Sequence, residues 1–427
     1  MKTLSSKKYT NYAIDITNNR VQILKGFFSF ELLFVLFLFA GLYKGDPRLE
    51  WLPIDLTALF FALSLISGLI IIIKRGMVFN QKAVILCMLY IGFALYVLLS
   101  YLWTPGKVYS TQKMLYIWTL VLWALAAPAL IISTDPRRIK RLGILFILLS
   151  IIASFEAISQ YIQAGQSGFI GVFGSNYLGL GRIAGLAFIV SYTYALFGSC
   201  NPFAKLIAII LAGVFLCILL IGGARGPFIA TILSALIPAF FSIHFSLKRQ
   251  SIKIKPFIRP IVVITIALLF LFGYFYETGH MTQTMARLQV LTSDGMGDSA
   301  AARIQHYTHA IQYWKQAPLF GNGIGSWPII NGDTDMRSYP HNLILEILTE
   351  LGLMGLMLFF TLILYALRFL KPIKSEGYQS INIVLLMIVM YMFLNSMVSG
   401  DIPDNRLLFA SIGLIPAALY CKEKKYV

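Results

Sequence analysis

The chain has 427 residues, 58% of them hydrophobic and only 12% charged, and its formal net charge at pH 7 is +17. This composition excludes an ordinary soluble domain and indicates an all-α polytopic membrane protein. The positive charge needs no nucleic acid to explain it, because lysine and arginine are enriched in the cytoplasmic loops of membrane proteins.

Apolar runs that could cross a bilayer recur along the sequence, each with the roughly 17 to 25 residues that one crossing needs. About twelve are predicted, near residues 27–43, 56–73, 83–103, 114–133, 143–163, 183–199, 203–221, 228–246, 261–276, 343–367, 381–398 and 407–420. We expect them to form a single integral membrane domain over residues 1–427. The polar residues 1–26 show no cleavable signal ahead of the first long apolar run.

Charged residues predict which side of the membrane each connection faces. Short basic connections, such as Lys74-Arg75 and the run from Arg137 to Arg141, are typical of cytoplasmic loops. This alternation places both termini in the cytoplasm. It places residues 277–342 outside, as one large helical loop between the ninth and tenth helices.

This outer loop is polar and holds four of the five histidines, which are His280, His306, His309 and His341. A helix is predicted from Asp298, on which Arg303, His306 and Tyr307 share one face because positions three and four apart are neighbours. At its end, Pro340 stops the extended chain just before His341 and a long apolar helix. A histidine at a membrane boundary indicates function, because ionisable groups are costly there.

Arginines at the outer ends of helices are further candidates. Arg182 follows a glycine-rich loop, and here ligand binding and snorkelling to the interface remain equal alternatives. Arg225 lies in the short turn 222–227, whose glycines permit close approach of a ligand and whose helix start favours an anion, so we interpret it as functional. The last outer loop adds Asp401 and Arg406 at the mouth of the final two spans.

In their order and spacing, these motifs resemble the O-antigen ligase and O-antigen polymerase superfamily. The shared features are Arg225 in Gly-Gly-Ala-Arg-Gly, Arg303 in a short helix, the glycine-rich run 318–325, and His341-Asn342 leading into Leu345-Glu346. The resemblance covers residues 180–405 in detail. Ligases often show a second histidine close to the first, whereas here Pro340 and Asn342 flank a single one.

The resemblance implies a GT-C-like membrane glycosyltransferase on the outer face of the bacterial cytoplasmic (inner) membrane. The donor would be a glycan on undecaprenyl diphosphate, and the acceptor would be a sugar hydroxyl of lipid A-core or of another lipid-linked repeat. Both reactions use the same donor chemistry, so ligase and polymerase remain alternatives.

The family's essential arginines carry over to Arg225 and Arg303, and its essential histidine carries over to His341. Weaker matches and neighbouring polar residues are expected to bind the diphosphate or glycan, namely Arg182, Asn342, Asp401, Arg406 and Tyr307. Arginine binds phosphate oxygens in pairs and can replace a metal ion, while a neutral histidine can accept the proton of an attacking hydroxyl. We therefore predict direct displacement with inversion, with no metal and no other cofactor.

A transporter or flippase of lipid-linked glycans is the alternative, because twelve spans with both ends inside is a common plan for one. Charged residues concentrated at outer loops, and the lack of an internal sequence repeat, favour the enzyme. A scaffold for other glycan enzymes is a third reading, but it leaves Arg225 and His341 unexplained.

Overall fold

The computed structural model describes residues 29–164, 169–198, 201–238, 243–246, 251–254, 273, 277, 283–292, 298–370 and 376–418. This part of the chain is helical apart from one antiparallel hairpin of β1 (Ile243–Ser246) and β2 (Ser251–Ile254), in which Ile243 pairs with Ile254. The predicted helical class is therefore confirmed for the described residues.

The helices of the first half of the chain are α1 (Phe30–Leu38), α2 (Ala40–Tyr43), α3 (Leu56–Lys74), α4 (Gln81–Ser100), α5 (Val108–Tyr116), α6 (Leu122–Leu130), α7 (Pro136–Ala164), α8 (Tyr177–Phe197) and α9 (Pro202–Ile221). A π-helical turn, Ile117–Val121, joins α5 to α6, so that the two helices form one continuous span.

The helices of the second half are α10 (Arg225–Ala235), α11 (Gln283–Thr292), α12 (Asp298–Gln316), α13 (Trp327–Ile330), α14 (Leu343–Leu367), α15 (Glu376–Ser396) and α16 (Arg406–Leu414). Single 3-10 turns lie at Pro47–Leu49, Ile132–Thr134 and Pro403–Asn405.

Within the described residues, 7 helices are long and apolar enough to cross a membrane. They are α3, α4, the α5–α6 pair, α7, α8, α9 and α14. Each coincides with a predicted span, which confirms 7 of the predicted spans; the count of about twelve stays a prediction. The predicted span 261–276 and His280 lie outside the described residues.

The predicted span 228–246 is wrong as a single helix. Helix α10 begins earlier, at Arg225, and ends at Ala235, and the chain forms strand β1 from Ile243. The physical reason is that a short apolar run indicates burial without distinguishing a helix from a strand.

Helices α8, α10 and α15 pack closely together one turn after Arg182, which lies near the N-terminal end of α8. A Cβ added at Gly185 of α8 would lie 2.2 Å from the Tyr391 hydroxyl and 2.4 Å from Thr231. The Tyr391 hydroxyl donates to the carbonyl oxygens of Gly181 (3.2 Å) and Arg182 (3.0 Å). These hydrogen bonds fix the N-terminal end of α8 against α15.

The glycine-rich loop before α13 packs against a break in α14. Gly352 has a φ of 64° inside α14, and a Cβ there would lie 2.4 Å from the Leu319 oxygen. The amides of Leu353 and Met354, freed by this break, donate to Pro318 and Leu319. The break thus lets α14 bind the backbone of the loop through hydrogen bonds, just after the first two turns of the helix.

Candidate active site

A pocket of about 310 Å³ lies where the N-terminal parts of α8, α10 and α12 meet the C-terminal end of α15. Four arginines and two tyrosines line it: Arg182, Arg225, Arg287, Arg303, Tyr177 and Tyr307. None of the described residues that line it is acidic. Such a pocket suits a ligand with several negatively charged oxygens, because each guanidinium can bind two of them.

Arg225 and Arg287 are each oriented by a hydrogen bond to a backbone oxygen of the other's segment. The Arg225 side chain is buried, and its Nη1 donates to the Arg287 oxygen at 3.2 Å. In return, Nη1 of Arg287 donates to the Gly223 oxygen at 2.8 Å. The Arg287 guanidinium also lies over the rings of Phe169 (4.8 Å) and Tyr177 (5.1 Å). In these contacts both guanidiniums are oriented by backbone oxygens and aromatic rings.

Arg182 and Arg303 complete the cationic lining. Nη2 of Arg182 donates to the Ser399 oxygen at 2.9 Å, across the α8–α15 contact. Arg303 lies on α12 and lines the pocket, and its charge acts on both Arg225 and His341. Arg303 is thus electrostatically coupled to both the arginine pocket and the histidine.

His341 has an unusual backbone. Its φ is 60°, a left-handed conformation that few residues other than glycine adopt. Its Nδ1 is buried and has no hydrogen-bond partner among the described residues. Its ring centroid lies 4.6 Å from that of Tyr339 and 5.9 Å from that of His306. Backbone strain of this kind is concentrated at functional sites, where the surrounding structure enforces it.

The surroundings of His341 favour its neutral form. Burial lowers its pKa to about 4, and the charges of Arg303, His306 and Arg337 act in the same direction. The imidazole is therefore unprotonated at neutral pH and has a free lone pair to accept a proton.

His306 supplies a second imidazole beside the first. Burial lowers its pKa, and its buried Nδ1 has no partner in the part of the chain that the structure describes. Its ring packs edge-on against Trp327, with the ring centroids 5.8 Å apart. The sequence predicts His306 on the same helical face as Arg303 but gives no sign that this face turns toward His341. His306 is therefore a neighbour of His341 in space and not in sequence.

Tyr307 and Asn342 hold the helices of the site together. Tyr307 lines the pocket and its hydroxyl donates to the Met397 oxygen at 3.1 Å. The Asn342 amide donates to the same oxygen at 3.2 Å, and its Oδ1 accepts from the Leu345 amide at 3.0 Å to cap α14. These contacts join α12 and α14 to the end of α15.

Asp401 and Arg406 are not among the residues that line the pocket. The buried Asp401 carboxylate accepts hydrogen bonds from the Tyr109 hydroxyl (2.8 Å) and from Nε of Arg337 (3.1 Å). Burial would raise the pKa of Asp401, but the charges of Arg337 and Lys113 hold it below its usual value. The Arg406 guanidinium lies over the Phe37 ring at 5.4 Å.

A fully buried ion cluster lies in the first turns of α14, the helix that follows His341. Nζ of Lys113 lies 2.5 Å from Glu346 and 2.7 Å from Glu350, both near the start of α14. The Glu350 carboxylate also accepts from the Gly325 amide (2.8 Å), and the Glu346 carboxylate accepts from the Ile402 amide (3.2 Å). Lys113 therefore links α5 to α14. The two glutamates that it pairs with link α14 to the loops that contain Gly325 and Ile402.

Replacing Lys113 with methionine is expected to destabilise the protein by about 3–5 kcal/mol, because two buried carboxylates lose their cation. The measurement is the apparent melting temperature in detergent. The matched control combines Lys113→Met with Glu346→Gln and Glu350→Gln, which removes the uncompensated charge and should restore most of the stability. A single variant that melts like the wild type would contradict the prediction.

Sequence reasoning missed Arg287, His306 and Arg337 as members of the site. A signal for the two arginines exists, because a positive residue in a loop that is predicted to lie outside runs against the usual charge distribution and therefore needs a reason. Among the described residues, no group of three His, Cys, Asp or Glu side chains is placed to hold a metal ion.

Fold and site together define a polytopic helical membrane protein with a cationic pocket next to a neutral histidine. Residues 207–360 match the family model described as O-Antigen ligase. The matched segment contains Arg225, Arg287, Arg303 and His341. The match confirms the resemblance to the O-antigen ligase and polymerase superfamily. No curated protein sequence matches the chain.

Proposed function

We propose that the protein is a glycosyltransferase that moves a glycan from undecaprenyl diphosphate to a sugar hydroxyl on the outer face of the bacterial inner membrane. The observation that carries the proposal is the pocket of four arginines beside the neutral His341, largely within the segment that matches the family. The acceptor is lipid A-core for a ligase and another lipid-linked repeat for a polymerase.

In this reaction the bond between the anomeric carbon and the diphosphate oxygen breaks, and the leaving diphosphate keeps the electron pair. Arg225, Arg303 and Arg287 bind its oxygens and stabilise the charge that develops on them. The acceptor hydroxyl attacks the anomeric carbon from the opposite side, and its proton passes to the His341 imidazole. Direct displacement of this kind inverts the anomeric configuration.

Donor binding adjusts the basicity of the histidine. Burial and the charge of Arg303 lower the pKa of His341 to about 4, which makes it a weak base. A bound diphosphate brings negative charge toward Arg303 and so offsets the repulsion that disfavours the imidazolium. The base therefore becomes stronger when the donor is in place, as transfer requires.

Product analysis tests the proposal. The purified protein in lipid vesicles receives the undecaprenyl-diphosphate glycan, with and without a rough lipid A-core acceptor. Whole glycan on lipid A-core identifies a ligase, and a ladder of longer lipid-linked chains without that acceptor identifies a polymerase. Absence of transfer in both assays, with movement of the donor across the vesicle membrane, would replace the proposal by a flippase.

The same assay tests the chemistry. We expect the transferred sugar to have the anomeric configuration opposite to that in the donor, as determined by NMR of the product linkage. We also expect the rate to be unchanged by EDTA and by added magnesium, because arginines supply the positive charge. Retention of configuration, or activity lost to EDTA and restored by magnesium, would contradict this mechanism.

A further inference from the structure

The loop 331–340 leads from α13 towards His341 and is anchored to the start of α5. The Asp335 carboxylate accepts hydrogen bonds from the backbone amides of residues 107–109, at 2.8, 2.8 and 3.1 Å. These amides are available because the first N–H groups of a helix have no partner within it. Asp335 thus fixes one point of the loop without lining the arginine pocket.

Arg337 anchors the same loop a second time, two residues further on. Its Nε donates to the buried Asp401 carboxylate at 3.1 Å, and its Nη2 donates to Asp404. Its guanidinium lies 5.2 Å from the centroid of the Tyr339 ring, and that ring lies 4.6 Å from the His341 ring. A continuous chain of contacts therefore runs from Asp401 through Arg337 and Tyr339 to the imidazole.

These contacts explain how His341 keeps its left-handed backbone. A residue other than glycine is strained at a φ of 60°, and such strain persists only where the surrounding structure enforces it. After the imidazole, Asn342 caps α14 and donates to the Met397 oxygen. Before it, Tyr339 is held by Arg337. The chain is therefore fixed on both sides of the strained residue.

We propose that Arg337 is a positioning residue, which holds the Tyr339 ring against His341 and so fixes the direction in which the imidazole meets the acceptor hydroxyl. The effect on transfer rests on the proposed function, but the state of the imidazole can be measured without transfer. Arg337 does not line the arginine pocket, so its replacement should leave binding of the diphosphate unchanged.

Arg337 also acts on His341 through its charge. Among the described residues, the titratable groups that face the imidazole are Arg303 and His306 from α12, and Arg337 and Tyr339 from the loop. Burial lowers the pKa of His341 most, and the charges of Arg303, His306 and Arg337 lower it further. Removal of the Arg337 charge should therefore raise this pKa, whereas a lysine in its place should keep it low.

Three variants separate the parts of this contact. Arg337→Gln removes the charge and the planar fork, Arg337→Lys keeps only the charge, and Tyr339→Leu removes the ring. Arg48→Gln is the matched control, because Arg48 also pairs with two carboxylates, those of Asp46 (2.7 Å) and Glu156 (3.4 Å). Arg48 does not line the arginine pocket, and its charge is not among those that lower the pKa of the imidazole.

The first measurement is an NMR titration of isotope-labelled histidine in the full chain in nanodiscs, with the His341 signal assigned by its loss in His341→Ala. We expect Arg337→Gln to titrate at higher pH than the wild type, and Arg337→Lys and Arg48→Gln to titrate like the wild type. Affinity for undecaprenyl diphosphate without glycan should stay within about twofold in every variant, which shows that they are folded. If Arg337→Gln does not fold, Arg337→Lys and Tyr339→Leu decide by their transfer rates. A folded Arg337→Gln that titrates like the wild type would overturn the inference.

The second measurement is the rate of glycan transfer. We expect kcat to fall about 10²-fold in Arg337→Gln and in Tyr339→Leu, because a small misplacement of a reacting group has an effect of this size. Arg337→Lys should lie between Arg337→Gln and the wild type. The double variant Arg337→Gln/Tyr339→Leu should be no slower than the slower single variant, because both residues act through one contact. Losses that multiply in the double variant would overturn the inference.

The two measurements distinguish this inference from the proposed function. If the wild type transfers no glycan but the His341 titration moves in Arg337→Gln alone, the transferase is rejected and the positioning of the imidazole is retained. If the wild type transfers glycan and kcat is unchanged in folded Arg337→Gln and Tyr339→Leu, the transferase is retained and the role of Arg337 is rejected.

Discussion

Arg225→Ala is expected to reduce glycan transfer by about 10³-fold or more, the effect of removing a cation that stabilises a transferring phosphoryl or diphosphate group. Arg225 is buried in the pocket, is oriented by the Arg287 oxygen, and lies within the segment that matches the family. Because the charge on the diphosphate grows as the glycosidic bond breaks, the loss should be mainly in kcat, with a smaller rise in KM.

Arg225→Lys separates charge from shape. Lysine keeps the positive charge but cannot bind two phosphate oxygens with one planar group. We expect activity between those of the wild type and Arg225→Ala. If the lysine variant matched the wild type, Arg225 would act only as a point charge, and the argument from paired hydrogen bonds would fail.

Arg48→Ala is the matched control for loss of one positive charge. Arg48 belongs to an outer connection in the predicted topology, and its side chain is 60% exposed. It pairs with Asp46 at 2.7 Å and with Glu156 at 3.4 Å, and it does not line the arginine pocket. We expect wild-type transfer from this variant. Equal losses in Arg48→Ala and Arg225→Ala would mean that outer charge in general, and not the pocket, controls the rate.

The long apolar helices are the part of the fold that the sequence predicts well. A run such as Leu56–Lys74 is recognisable because about 20 apolar residues are needed to cross the bilayer, and this is a local property of the chain. Shorter helices such as α10 and α16 fit the same signal less well, because they are buried by neighbouring helices and need not cross the bilayer alone.

The site is predicted in part, for a similar reason. Arg182, Arg225 and Arg303 lie in the first two turns of α8, α10 and α12, and the fold brings these helix starts together. By contrast, the pairing of Lys113 with Glu346 joins residues more than two hundred positions apart, and no local pattern reveals it. The orientation of the Asp401 carboxylate likewise depends on a hydrogen bond from Arg337, a residue distant in sequence.

His341→Ala is the second replacement with a large expected effect. Loss of a general base typically lowers kcat by about 10²–10⁴-fold. His309→Ala is the matched control, because His309 belongs to the same outer segment but its Nδ1 bonds to Asn331 at 3.1 Å and it does not line the arginine pocket. We expect its kcat to remain within about twofold of the wild type. Transfer by His341→Ala at the rate of this control would show that another group accepts the proton.

The pH dependence gives His341 a signature that simple misfolding would not reproduce. Its pKa of about 4 means that kcat/KM, which reports the free enzyme, should fall only as the pH drops toward 4. The limb in kcat, which reports the donor complex, should lie at higher pH, because the bound diphosphate favours the imidazolium. Coincident limbs would place the diphosphate too far from His341 to act on it. If the two limbs differ in the wild type and both disappear from the residual activity of His341→Ala, both belong to this imidazole. The base then lies close to the leaving diphosphate.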